Sequence, residues 1–433
     1  MQGDVSFTFL DRIEEVELNI VDRRWQSALA LALTLPDICG GIAFPEIVKH
    51  YRDGRVMLDR QKNPTRDVGT QYIRWFDEYA GSFFKVSARD ERPYICGERC
   101  WQEGKYMKNI NIGKSGISVP FLGMGTWAIG GGAWWGDNDD ALSVKAIQTA
   151  VEQGIQWIDT APIYGLYHSE EVVGEAMKHI DRDKVVLSTK CGLEWRHESP
   201  ILHKVVDGVQ VYRDLSAKGI IEDVEDSLRR LHTDHLDVLY THWQSPDFGV
   251  YPLEETMEAM MKLKEQGKIR AIGASNVTSD IIRGYCKYGQ LDVIQEKYSL
   301  LTRRIEKQLL PTCKELGVSV QAYSPLEQGL LTGKVTMDTT YPEGSTRNTN
   351  PCFQPTRRAQ ALELLAKWSD LTEKYNCTMA QLVIALTARM IPGLHVLCGA
   401  RKPEQVLDNA GAMHIKLDGA DAVRMKWDVD AIS

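Results

Sequence analysis

Residues 156–165 read QWIDTAPIYG, an apolar run that ends in an aspartate and is followed five positions later by a tyrosine. A short apolar run bounded by turn-forming residues reads as a buried strand. Its end therefore presents a carboxylate, Asp159, and a phenol, Tyr164, on one connection. The same unit recurs outward in both directions. Brief β-branched or apolar runs stand at VPFLGMGT (119–126), QWIDTA (156–161), VVLSTK (185–190), HLDVLYTHW (235–243), IRAIGASN (269–276), VIQEKY (293–298), VSVQAYSP (318–325) and HVLCGA (395–400). Amphipathic stretches lie between them, among them DALSVKAIQTAVEQG (140–154), IEDVEDSLRRLHT (221–233) and LEETMEAMMKLKEQG (253–267), each closing near a Gly or polar turn residue.

Eight strand-and-helix units predict an α/β fold, a closed (β/α)8 TIM barrel, over residues 105–433. A doubly wound sheet is the competitor, but no G-x-G-x-x-G fingerprint follows the first strand. Just before the barrel, NINIGKSGISVP (109–120) reads as a hairpin with Gly113 and Gly116 bracketing its turn. Residues 1–104 read differently. Helical apolar spacing over 10–33 and again over 66–84 predicts a mostly α-helical amino-terminal segment with no catalytic spacing.

Composition narrows the function. A chain of 433 residues with 43% apolar and 25% charged content is long enough for an ample core, and a net charge of −8 gives no basic footprint for nucleic acid or an anionic membrane. The acidic amino terminus lacks a secretory n-region and apolar core. The most membrane-like stretch, 27–44, contains Pro36 and Asp37 and falls short of the roughly 20 apolar residues of a spanning helix. Nine cysteines without regular spacing fit reduced thiols, so a cytoplasmic location is expected, without a membrane or nucleic-acid partner. Cys96 and Cys100, with no nearby His pair, are not expected to bind metal. No heptad repeat speaks to assembly, and the oligomeric state stays open.

In a barrel of this kind the chemistry lies where strands end. The second strand end supplies Asp159 and Tyr164, the third Lys190, and the fourth His242. Singly, each has a plain structural reading as a helix cap, a surface phenol, an ion-pair partner or an interior histidine. Together they form a proton-transfer set. A neighbouring ammonium lowers a phenol's pKa from about 10; Lys190 is expected to do this for Tyr164. Asp159 would hold Lys190, and His242 would hydrogen-bond the substrate oxygen or relay the proton. Such a device calls for a cofactor that exchanges hydride. Aromatic residues near the strand ends, Trp127, Trp195 and Trp243, are expected to line the substrate side, with Trp134 and Trp135 in a Gly-rich loop; for Trp135 a core position fits equally. The segment 195–216 reads as a long loop that either closes over the substrate or packs on the rim.

In order along the chain, GMGTW, IDTAPIYG, STKCG, THW, IRAIGASN, AYSPLEQGLLTGK and GARKPEQVLDNA resemble the aldo-keto reductase superfamily over about residues 107–415. The detail in YRDLS (212–216) and VEDSLRRLHTDHLDVLYTHWQ (224–244) is most similar to the bacterial branch associated with myo-inositol catabolism and aldehyde reduction. That resemblance implies an NADPH-dependent oxidoreductase that reduces an aldehyde or ketone reversibly, with Asp159, Tyr164, Lys190 and His242 as its catalytic tetrad and Tyr164 as general acid. It also implies a cofactor track. Ser275, Asn276 and Gln295 would meet the nicotinamide carboxamide and Tyr323 would stack on the ring; Ser324, Leu326, Gln328 and Lys334 would follow the pyrophosphate. Gly399, Ala400, Arg401, Gln405 and Asn409 would surround the adenosine. Gln405 stands where many relatives carry a basic residue for the 2′-phosphate, so NADP as cofactor, rather than NAD, depends on Arg401 and Lys402. Barrels of this family also serve as cofactor-binding regulatory subunits of potassium channels, an alternative that the complete tetrad disfavours. Residues 1–104 resemble the front of an uncharacterised bacterial helical family, a likeness that carries no activity.

Overall fold

The computed structural model describes residues 109–432. The helical reading of the amino-terminal segment, its boundary near 104, the apolar stretch 27–44 and the Cys96–Cys100 pair all lie outside the described residues.

Residues 110–119 form the hairpin the glycines predict: β1 (Ile110–Asn111) pairs antiparallel with β2 (Ser118–Val119). Gly113 turns at φ 52°, and a β-carbon there would stand 2.1 Å from the carbonyl oxygen of Asp292, so the turn tolerates no side chain. The barrel strands then follow as β3 (Leu122–Gly125), β4 (Trp157–Asp159) and β5 (Val186–Cys191). Three rim strands interrupt them: β6 (Leu193–Glu194), β7 (Ile201–Val206) and β8 (Val209–Arg213). The barrel resumes with β9 (Leu236–Thr241), β10 (Ile269–Ser275), β11 (Val293–Lys297), β12 (Ser319–Tyr323) and β13 (His395–Gly399). Strands β3, β4, β5, β9, β10, β11, β12 and β13 close into one all-parallel barrel, with β13 pairing back onto β3.

All eight predicted barrel strands are present. The first is shorter than its apolar run, because Pro120 has no N–H for a ladder and divides 119–126 between hairpin and barrel. The predicted helices appear as α1 (Asp140–Glu152), α3 (Ala217–Arg230) and α4 (Leu253–Glu265), with α2 (His168–Met177) and α5 (Ser279–Tyr288) completing that side. Helix α3 begins four residues before its predicted start, because the Ser216 hydroxyl accepts from Gly219 N–H and caps it. Beyond β11 lie α6 (Leu310–Leu316), α7 (Pro355–Ala366), α8 (Met379–Met390), α9 (Pro403–Gly411) and α10 (Gly419–Asp430).

The core has distinct layers. Ile112, Ile117 and Val119 of the hairpin pack on Trp157, Val186, Val238, Tyr240, Ala271 and Val293, which plugs the end of the barrel where the strands begin. A larger shell joins the strands to the surrounding helices, and a separate cluster around Trp368 binds α7, α8 and α10 together. These layers leave the opposite end of the barrel as the open one. No described helix is long and apolar enough to cross a membrane.

The segment 195–216 departs from the long-loop reading. Strands β6, β8 and β7 form a small antiparallel sheet, with Asp207 and Gly208 at φ 49° and 82° linking β7 to β8. Two positive φ values in a two-residue connection match a right-twisted hairpin, and Asp-Gly is a strong signal for one.

Candidate active site

Two loops cross closely to place the phenol. A β-carbon on Gly130 would lie 2.5 Å from the Tyr164 carbonyl carbon, and one on Gly165 would lie 2.1 Å from the Gly130 oxygen. Only a pair of glycines lets the connection after β3 press against the turn after β4, and this contact fixes the backbone that carries Tyr164.

Beneath the phenol lies a buried ion pair. Lys190, on β5, donates from Nζ to Asp159 Oδ2 at 2.6 Å and to the carbonyl of Thr160 at 2.8 Å. The Tyr164 ring stands beside the ammonium, its centroid 4.9 Å from Nζ. Two of the three ammonium donors are thus used within the protein, and the third is on the side of the phenol. The other carboxylate oxygen, Asp159 Oδ1, accepts from Ser188 Oγ at 2.7 Å and from Gln295 Nε2 at 3.0 Å. Burial works against the Lys190 charge, yet Asp159 and Tyr164 together hold its pKa above the ordinary ammonium value.

The phenol does not behave as the sequence reading expects. Lys190 lowers its pKa, but burial is the larger effect and leaves Tyr164 above its usual value. The hydroxyl is therefore kept protonated, as a proton donor must be. The ring of Tyr164 meets that of His242 edge-on at 5.8 Å. Burial, with the Lys190 and Lys204 charges, holds His242 well below the ordinary imidazole value. A neutral imidazole that resists protonation fits a hydrogen-bond donor to the substrate oxygen better than a relay for a proton.

These groups open into a pocket of about 580 Å³. Asp159, Tyr164 and His242 line it, while Lys190 lies under its floor. Every residue of the expected cofactor track is on its wall. Ser275, Asn276, Gln295 and Tyr323 come from β10 and the residue after it, β11 and β12, Ser324, Leu326, Gln328 and Lys334 from the connection after β12, and Gly399, Ala400, Arg401, Gln405 and Asn409 from β13, α9 and the turn between them. Asn276 is oriented by donating to the His242 carbonyl at 2.9 Å and accepting from the Tyr323 hydroxyl at 3.1 Å. Gln295 is less free than expected, since its amide nitrogen already donates to Asp159 and, at 2.6 Å, to Gln321.

The donor set suits a dinucleotide. Ser324, Glu327 and Gln328 at φ 57°, 44° and 55°, with Gly329 at 101°, form a connection of left-handed residues, the backbone form that turns N–H groups toward an anion. Gln405, Asp408 and Asn409 of α9 line the same pocket.

On the substrate side, Trp127 and Trp243 line the pocket as expected, and Trp134 and Trp135 join them. Trp127 meets Trp135 edge-on at 5.1 Å and Trp134 at 6.0 Å. Trp195 is the exception. It stacks on Tyr167 at 4.6 Å, away from the pocket wall, because the rim sheet turns the chain aside immediately after the third barrel strand. The same sheet brings in Lys204, which sequence reasoning missed together with Tyr341 and Arg347. The Asp207-Gly208 pair was the available signal for Lys204; nothing comparable marks the other two.

The chain belongs to the Aldo/keto reductase family, whose model matches residues 121–426, and so to the oxidoreductases that act on carbonyl compounds. Among its relatives, the NADH-specific methylglyoxal reductase of Escherichia coli (strain K12) is 44% identical over 327 residues, which covers 75% of this chain and 99% of the relative. Aldo-keto reductase YhdN of Bacillus subtilis (strain 168) is 39% identical and covers 69% of this chain and 87% of its own length. Among solved structures, the glycerol dehydrogenase of Gluconobacter oxydans aligns with TM-score 0.66 and 34% identity over 76% of this chain and 95% of that one. An aldo-keto reductase from Klebsiella pneumoniae in complex with NADPH aligns with TM-score 0.55 and 28% identity over 73% and 94%.

Proposed function

We propose that the chain reduces a small aldehyde or ketone to the alcohol, reversibly, with Tyr164 as the proton donor. The observation that carries this reading is the buried Asp159–Lys190 pair directly under a protonated phenol, at the floor of a pocket whose wall also holds the expected cofactor residues. The nicotinamide, when bound, supplies the hydride. Tyr323 and Asn276 would hold its ring and carboxamide. His242 and Tyr164 would both hydrogen-bond the carbonyl oxygen, which polarises it, and Tyr164 would release its proton as negative charge develops there. Lys190 stabilises the resulting phenolate, and the tryptophans exclude water. Oxidation of the reduced cofactor, followed by absorbance with small and aromatic aldehydes, tests the reading; no turnover with any carbonyl would sink it. The kinship with reductases of myo-inositol catabolism belongs to this proposal and rests on motifs alone.

A pH profile follows. Tyr164 donates only while protonated, so activity is lost as pH rises through its pKa, which burial places above the ordinary phenol value. His242 is already neutral across the physiological range. Reduction should therefore be level from about pH 6 to 9 and fall only on the alkaline side. An inflection of unit slope near the ordinary imidazole pKa in kcat/KM would contradict the assignment of His242.

The expected preference for NADPH relied on Arg401 and Lys402. Arg401 lines the pocket, but Nη1 donates to the carbonyls of Trp135 and Asp137 at 3.3 and 3.0 Å, and its N–H is held by Gln405 Oε1 at 2.8 Å. Lys402 is exposed and outside the wall. A 2′-phosphate thus gains little, and we infer that NADH serves better than NADPH; the name of the E. coli relative supports this. Replacing Gln405 by Arg should raise the kcat/KM ratio of NADPH to NADH by roughly tenfold, the effect of one added charge-assisted hydrogen bond. An unchanged ratio would return the discrimination to some other part of the pocket.

A further inference from the structure

One cation in the pocket has no assigned partner. Lys204, on β7, lines the wall, and its Nζ lies 4.3 Å from the ring centroid of Trp134. Among the described residues it forms no ion pair, and burial alone, with no neighbouring acid, shifts its pKa downward. The other cations of the pocket are engaged: Lys334 pairs with Asp408 at 3.5 Å, Arg347 donates to the Gln328 carbonyl at 2.9 Å, and Arg401 donates to the loop carbonyls already described. The acid of the catalytic set is no counterion for Lys204, since Asp159 is neutralised by Lys190 at 2.6 Å. The substrate end therefore presents an ammonium with no acid opposite it and no hydrogen-bond acceptor of its own among the described residues, set among aromatic walls.

Its influence already reaches the reacting groups, because the Lys204 charge is among the causes that hold His242 neutral. Lys204 keeps an exposed side chain while its Nζ lies over the Trp134 ring at the pocket wall, and an ammonium so placed with no anion opposite it is stabilised by a ligand that brings one. Lys204 is the cation of the pocket whose donors are not already spent on protein acceptors, so it is the one free to meet an anionic group of a ligand. Arg213, on the neighbouring strand β8, has its donors turned to His203 Nδ1 at 3.2 Å and to the Gln244 carbonyl, and does not line the pocket.

We propose that the pocket selects carbonyl compounds that also bear a carboxylate, with Lys204 as the residue that recognises it. This rests on the reading of the site as a carbonyl reductase.

The test compares 4-carboxybenzaldehyde with its uncharged methyl ester, methyl 4-formylbenzoate, as substrates of the full chain and of its Lys204→Met and Lys204→Arg variants. The quantity read is the ratio of kcat/KM for the acid to that for the ester. It should exceed one in the wild type, fall about tenfold in Lys204→Met and be largely restored in Lys204→Arg. An equal ratio in the wild type and Lys204→Met would overturn the proposal. Should Lys204→Met not fold, the wild type alone decides: benzoate should inhibit ester reduction about tenfold more strongly than benzamide, and equal inhibition would overturn the proposal. Reduction of the ester without preference for the acid sinks this inference alone. Reduction of neither aldehyde sinks the reductase reading and this inference with it.

Discussion

Tyr164→Phe is expected to lower kcat for carbonyl reduction by about 10³-fold, the scale of a positioned general acid, with cofactor affinity unchanged. The substitution removes one oxygen and leaves the ring. The edge-on contact with His242 at 5.8 Å and the neighbouring Trp127, at 6.3 Å, are features of that ring and survive. So does the cofactor wall at Tyr323 and Asn276, which Tyr164 does not build. What is lost is the one hydroxyl that burial keeps protonated and that Lys190 stands ready to stabilise as the anion. Stopped-flow reduction, with cofactor binding followed separately by fluorescence, distinguishes the two effects. A variant with wild-type turnover would remove Tyr164 from the mechanism, whereas loss of both turnover and cofactor binding would mean that the phenol is structural.

Asp159→Asn should be the most costly of the conservative changes to stability, by about 3–5 kcal/mol, the range found when one partner of a buried ion pair is removed. Lys190 is fully enclosed, and among the described residues Asp159 is the one acid it pairs with. An amide keeps the shape and can still accept from Ser188, but it leaves a buried ammonium without a counter-charge. The change should lower the unfolding temperature by roughly 10 °C and reduce turnover as well, because Lys190 would then lose its charge and with it the means to stabilise the Tyr164 phenolate. Thermal unfolding read by circular dichroism gives the first quantity. Unaltered stability would mean that water or a neighbouring group compensates Lys190, contrary to the enclosed geometry.

Much of this architecture is legible in the chain because barrel strands buried on both faces leave near-continuous apolar runs. The runs around Ile158, Leu187, Leu239 and Ile272 stand out for that reason, and the polar residues at their ends then mark the site. The rim sheet was hidden by the opposite circumstance. Residues of β7 are only partly covered, so Ile201–Val206 has Leu202, Lys204 and Val205 exposed and Ile201 and His203 half-buried, and shows no clean alternation. Its one clear sign, Asp207-Gly208, lies in the turn and not in the strands. Missing that sheet explains two errors together: Trp195 was placed on the pocket and Lys204 was not. The direction of the Tyr164 shift could not be read from spacing, because it depends on the balance between burial and a neighbouring charge, and both arise only when three strand ends meet. The engagement of Arg401 by the carbonyls of Trp135 and Asp137 is similarly a contact between segments more than 260 residues apart.

The most direct test of the central claim is to follow the hydride itself. Wild-type protein is incubated with an aldehyde and a reduced nicotinamide cofactor carrying deuterium at the transferable position, and the products are analysed by mass spectrometry and NMR. The account predicts one deuterium on the carbinol carbon of the alcohol, formed in step with oxidised cofactor. Tight cofactor binding with no deuterated alcohol from any carbonyl compound would contradict it and would favour a barrel that holds its cofactor for regulation.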